Sequence, residues 1–82
     1  MDMDAMLGRV RSLLGPSAPG VDADEAEAVL ELARVVAHAS ERRAAPVSAY
    51  LVGLAVAGAA PEARAAFIDE LVVKLEAGPP EG

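Results

Sequence analysis

Hydrophobic and polar positions recur at helical spacing along the chain, and one long stretch has no charge at all. Residues 46–60, PVSAYLVGLAVAGAA, contain no charged side chain. Because a helix that is apolar on every side must be covered on every side, this stretch predicts the buried central helix of a small all-α domain. It is too short to span a membrane, since residues 47–57 reach only about 17 Å as a helix and a hydrocarbon core is about 30 Å thick.

Gly53 lies in the interior of this predicted helix. A glycine there costs about 1 kcal/mol relative to alanine. We therefore expect a neighbouring backbone to approach it closely and to compensate for that loss.

The same pattern, with its capping and breaking residues, sets the domain organisation. We predict a compact bundle of three to four short helices in one domain, residues 1–82, with a turn-rich loop at 15–21 and a frayed tail at 78–82. The predicted helices cover about residues 4–14, 22–42, 46–58 and 61–77. The sequence leaves open whether the first helix packs on its own domain or docks on another molecule.

Individual residues mark the ends of these helices. Asp22 followed by Glu25 three residues later matches a capping box at the start of the second helix. Gly15 is expected to end the first helix, Gly58 to cap the third in a left-handed conformation and Gly78 to end the fourth.

The second helix has two neighbouring apolar faces. The face that we expect to pack on the core consists of Val29, Leu30, Ala33, Val36 and Ala37. Beside it runs a seam of apolar residues at spacing i, i+4, i+7, i+11, namely Ala28, Leu32, Val35 and Ala39. Since most of the circumference of this helix is apolar, the helix contacts either helices on two sides or a second molecule. Our leading hypothesis is that the seam contacts a partner protein. Its polar rim would consist of Arg34, His38, Arg42 and Arg43.

Composition supports a partner and excludes some classes of ligand. Hydrophobic residues make up 54% of 82 residues, and the mean hydropathy of +0.33 is high for a small domain. Thirteen acidic against seven basic residues give a net charge of −6, which disfavours nucleic acid and anionic membranes. The N-terminal MDMDAML lacks the basic region of a signal peptide, so we expect a cytoplasmic protein.

Candidate catalytic and metal-binding residues are few. His38 is the single histidine and there is no cysteine, so a zinc site has too few ligands. The sequence also has no glycine-rich phosphate loop. We therefore predict no enzymatic activity, no cofactor and no metal.

The run LELARVVAHASERRAAPVSAYLVGLAVA, residues 30–57, resembles a small helical domain of unknown function in GC-rich bacteria. The shared motifs are Leu32 to Arg34, Val36 to His38, Arg42, Ala44 to Pro46 and Gly53 to Ala55. Arg43 departs from the pattern, which has a proline there. That domain is associated with molybdenum-cofactor guanylyltransferase and formate dehydrogenase maturation genes. The resemblance implies a molybdenum-enzyme context and supplies no catalytic residues.

Three hypotheses about function follow. The first is a non-catalytic interaction module or accessory subunit that docks on a molybdenum-cofactor biosynthesis protein or on a molybdenum-dependent oxidoreductase such as formate dehydrogenase. The second is a bundle that binds a pterin nucleotide or another anion near Tyr50, His38 and Arg42. The third is a self-contained structural homodimer.

Overall fold

A computed structural model describes residues 1–78, which form four α-helices and no strand. The helices are α1, Met3–Leu14; α2, Ala23–Ala39; α3, Ala44–Val56; and α4, Pro61–Glu76. The predicted all-α bundle is confirmed. Helix α2 ends three residues before its predicted end, and α3 begins and ends two residues early. Except for Gly78, the predicted tail lies outside the described residues.

Side-chain caps and glycines end the helices mostly as predicted. The carboxylate of Asp22 accepts a hydrogen bond from the Glu25 amide at 2.9 Å, and Asp2 caps α1 in the same way at 2.8 Å from Ala5 N. Gly15 and Gly78 take positive φ angles of 106° and 83° beyond α1 and α4. The left-handed cap predicted at Gly58 is wrong, because Gly15 and Gly78 are the positive-φ glycines among residues 1–78.

Helix α2, and not α3, is the central helix of the bundle. It packs on α4 along most of its length and on α3 on a neighbouring side, whereas α3 and α4 touch each other only slightly. The core consists of Ala28, Leu32 and Val35 from α2, Val52 from α3, and Ile68 and Val72 from α4. These side chains are small except for Leu32 and Ile68, which allows the three helices to pack closely.

The prediction that residues 46–60 form a helix buried on every side is therefore wrong. Helix α3 buries only Ala45, Val52 and Val56. The opposite side, here called the outer face of α3, consists of Val47, Tyr50, Leu51 and Leu54, and each of these residues is 60–68% exposed. The reason is that α2 and α4 pack on each other and leave α3 to cover one side of α2. Within the described residues, no helix is long and apolar enough to cross a membrane.

The close backbone approach expected at Gly53 is also not found. A Cβ atom placed on Gly53 meets no atom within 4 Å outside its own helix and chain neighbours. Gly53 instead lines a shallow crevice of about 180 Å³ with Gly20, Val21 and Arg64.

Helix α1 lies beside the bundle and has no buried residue. Its apolar side chains follow one stripe, the α1 stripe, which consists of Met3, Met6, Leu7, Val10, Leu13 and Leu14. Met3 and Leu7 line an apolar crevice of about 230 Å³ with Val21, Ala26, Val29 and Leu30. The backbone of α1 makes no close approach to the other three helices. Met6 and Val10 are 48% and 43% exposed, much like Met3 and Leu7, whereas Leu13 and Leu14 at the end of the stripe are 70% and 67% exposed.

A buried ion pair between α2 and α4 joins the segments of the bundle. Arg64 Nε and Nη2 donate to the two carboxylate oxygens of Glu25, at 2.5 and 2.8 Å. The same guanidinium donates to the carbonyl oxygens of Ala59 and Gly20, both at 3.2 Å. Side-chain exposure is 14% for Arg64 and 8% for Glu25, and hydrogen bonding to Glu25 raises the pKa of Arg64. One side chain thus connects the loop before α2, α2 itself, and the loop between α3 and α4.

We expect Arg64→Met to lower the melting temperature by on the order of 10 °C, because it leaves a buried carboxylate at Glu25 without its cation. The matched control is Arg43→Met, because that side chain is 91% exposed and its loss should change the melting temperature little. Thermal unfolding followed by circular dichroism measures both. Equal melting temperatures for the two variants would show that the ion pair does not hold the bundle together.

A second pair of variants tests which face of α2 is internal. Leu32 is 1% exposed and Leu30 is 47% exposed. Leu32→Ala should reduce the free energy of unfolding by about 3 kcal/mol, within the range for a cavity in a packed core, and Leu30→Ala by less than about 1 kcal/mol. Urea denaturation measures the difference. The reverse order would support the face that the sequence pattern favoured.

Candidate interaction surfaces

The seam predicted to bind a partner is mostly internal. Ala28, Leu32 and Val35 are buried in the core, where α2 contacts α3 and α4. The prediction that these three residues form a docking surface is therefore corrected, because α2 has neighbours on two sides and needs both apolar faces within its own domain. Only Ala39, at the end of α2, remains exposed.

The four residues of the predicted polar rim are exposed but do not form one site. Arg34 donates to Glu31 through Nε at 3.0 Å, and this bond lowers the pKa of the Glu31 carboxyl and raises the pKa of Arg34. His38 and Ala39 line a shallow groove of about 240 Å³ with Arg34, Val35, Leu75 and Glu76. Arg42 and Arg43 lie in the turn between α2 and α3. Arg43 Nε is 3.6 Å from a Glu41 carboxylate oxygen.

The structure does not bring Tyr50, His38 and Arg42 into one pocket. The groove beside His38 is completed by residues of α4, whereas Tyr50 lies on the outer face of α3. The volume of that groove is below the range of about 300–1,000 Å³ that is usual for ligand sites. A carboxylate, Glu76, stands in its lining and opposes an anion.

A larger groove of about 610 Å³ runs between the first halves of α2 and α4. Its floor is alanine, and its sides carry carboxylates, namely Asp22, Asp24, Glu27, Glu31, Glu62 and Asp69. Arg and Lys side chains are missing from this lining. The field of the groove is therefore negative and repels nucleotides and oxyanions. Across residues 1–78, no three His, Cys, Asp or Glu side chains are close enough together to hold a metal ion.

Within residues 1–78, two apolar helix faces are covered in part or not at all by the rest of the chain. They are the outer face of α3 and the α1 stripe, and both follow the i, i+3, i+4, i+7 spacing of a helix that packs on a neighbour. Sequence periodicity identifies such stripes. It does not show that these two, rather than the seam of α2, are left uncovered, because that depends on which helices pack on each other.

Arg64 is the residue that sequence reasoning missed. It stands in the first turns of α4 with no basic neighbour, and its partner Glu25 is 39 positions away. The one local signal was the capping box at Asp22 and Glu25. Only the Asp22 half of that pattern forms, because the Glu25 carboxylate pairs with Arg64 instead.

We expect pterin nucleotides, GTP and molybdate to leave the melting temperature unchanged, because the groove of about 610 Å³ is acidic and the groove at His38 is small. A ligand that bound the folded chain would raise the melting temperature with the logarithm of its excess. Differential scanning fluorimetry over a hundredfold range of each compound is the measurement. A concentration-dependent rise for any of them would favour the small-molecule hypothesis.

Comparison with known proteins gives one match. A family model described as a domain of unknown function, DUF6457, matches residues 1–78, which is the whole of the described chain. No curated protein and no solved structure shows a significant similarity to it.

Proposed function

We propose that this chain, which belongs to the DUF6457 family, is a non-catalytic helical interaction module. In this proposal it docks on another protein through α1. The observation that supports this is the state of α1, which has capped ends and an apolar stripe but no buried residue. Residues at i, i+3, i+4 and i+7 on one helix face are the usual anchors of a helix that lies in a groove of its partner.

The energetics of α1 also favour a partner. An isolated helix of about 12 residues is marginal in water, and most helical stability in proteins comes from packing an apolar face. In this chain only Met3 and Leu7 share a crevice with α2, while Leu13 and Leu14 are 70% and 67% exposed. A groove on a partner would cover the remaining part of the stripe and stabilise the helix. The methionines of the stripe suit such contacts, because their flexible side chains adapt to irregular surfaces.

The identity of the partner rests on the sequence resemblance. The motifs between Leu30 and Ala57 associate the chain with molybdenum-cofactor genes, so we propose a molybdenum-cofactor biosynthesis protein or a molybdenum-dependent oxidoreductase such as formate dehydrogenase. We place this association in the cytoplasm. The acidic surface, with a net charge of −6, disfavours nucleic acid as the partner.

Affinity purification of the tagged chain from its native host, followed by mass spectrometry, tests the proposal. The wild-type chain should recover a molybdenum enzyme or its maturation factor in stoichiometric amount. Leu13→Asp should reduce that recovery at least tenfold, because it places a charge in the most exposed part of the docking stripe.

The control is Ser12→Asp, which introduces the same charge one position earlier on the polar side of α1. It should recover the partner as the wild type does. Recovery of the chain alone, or equal recovery by both variants, would contradict docking through α1.

A further inference from the structure

We propose that a second copy of this chain packs on the outer face of α3, with the two α3 helices antiparallel about a twofold axis. This inference does not rest on the proposed function, because docking of a different protein uses α1.

The outer face of α3 has the form of a helix-packing surface. Val47, Tyr50, Leu51 and Leu54 lie on the side of α3 directly opposite the side that packs on α2, and each is at least 60% exposed. Tyr50 is one of only two aromatic residues of the chain, and tyrosine is enriched among the residues that dominate binding at interfaces. A contiguous exposed surface of large apolar side chains marks an interaction site.

Gly53 lies at the edge of the outer face, on the side of Tyr50. A glycine is unfavourable inside a helix, and no atom outside its own helix and chain neighbours lies within 4 Å of the place where its Cβ would stand. Gly53 and Ala57, one turn apart, line a shallow crevice of about 180 Å³ with Gly20, Val21 and Arg64. The surface beside Tyr50 is therefore open enough for another helix to approach.

The spacing of the outer face fits a twofold axis. Val47, Tyr50, Leu51 and Leu54 are placed symmetrically about a point between residues 50 and 51. An antiparallel copy therefore sets Val47 opposite Leu54 of the partner subunit, and Tyr50 opposite Leu51 of the partner subunit. Such a surface is complementary to itself, which is what a twofold interface requires.

The absence of charge on this face allows a second copy of the acidic chain to approach it. The rest of the surface carries carboxylates that would repel such a copy. Residues 44–61 carry no charge, in a protein of net charge −6, so two copies meet here without opposing carboxylates. Arg42 and Arg43 precede α3, and Glu62 follows it. In an antiparallel pair each basic end lies beside the acidic end of the partner subunit, and the two helix dipoles are also opposed.

The chain exposes more surface than a compact monomer of its size. A compact monomer of 8.3 kDa exposes about 4,600 Å², whereas this chain exposes 6263 Å². Part of this surplus belongs to α1, which has no buried residue. The outer face of α3 contributes four large side chains that are each at least 60% exposed.

Light scattering after size-exclusion chromatography tests the dimer. The wild-type chain at tens of micromolar should have twice the mass of 8.3 kDa, and Leu51→Asp should have the mass of one chain with unchanged helical circular dichroism. Val73→Asp is the matched control, because Val73 is 67% exposed on a different helix, and this variant should remain a dimer. If Leu51→Asp loses helix content, Tyr50→Ser replaces it.

Cysteine cross-linking tests the orientation, since the chain has no cysteine. Chains with Val47→Cys mixed with chains with Leu54→Cys should form a disulfide between unlike chains. Val47→Cys alone should not, because two copies of position 47 are about 10 Å apart along the helix axes and a disulfide needs Cα atoms within about 7 Å.

Three results would overturn the inference: a monomeric wild type, a dimer that survives the loss of Leu51 with its helices intact, or cross-linking of Val47→Cys with itself. The outcome is separate from that of the docking proposal. Leu13→Asp should lose the captured partner and remain a dimer, whereas Leu51→Asp should become a monomer whatever α1 binds.

Discussion

The ion pair between Glu25 and Arg64 is the constraint on which the arrangement of the helices depends. Its two charges are held in a nearly dry place, where an unpaired carboxylate or guanidinium would be strongly unfavourable. Since Arg64 also binds the carbonyl oxygens of Gly20 and Ala59, the start of α2, the start of α4 and the two loops beside them are fixed relative to one another. This contact sets α4 against α2 and places the end of α3 beside them.

The pairing of α2 with α4 leaves room for only a small core. The buried residues are mainly alanine and valine, and Leu32 is the one large side chain that is fully buried within the described part of the chain. Many of the leucines and methionines, together with Tyr50 and Phe67, stay at least partly outside. This partition differs from the usual one, in which large aliphatic residues are the most often buried. A small bundle that packs closely with small residues thus has large apolar residues left over for contacts with other molecules.

Our proposals assign the two exposed apolar faces to different partners. The α1 stripe belongs to a terminal helix that shares only a crevice with α2, and this suits a helix that enters the groove of a different protein. The outer face of α3 belongs to a helix that contributes Val52 to the core, and it lies in an uncharged part of the chain, which suits a second copy. The remaining surface is acidic and keeps other contacts weak through charge repulsion between copies.

The sequence by itself determined the all-α class of residues 1–78 and the ends of most helices to within one or two residues. Those features are local, because caps such as Asp22 and Gly15 act within one turn and helical periodicity is visible in a short window. The sequence also indicated surplus apolar surface. Only the tertiary structure decided that the seam at Leu32 is internal, that α3 lies at the periphery and that Arg64 reaches Glu25. Both apolar faces of α2 and all sides of α3 look alike in sequence, and the choice among them depends on which helices pack together across some forty residues of chain.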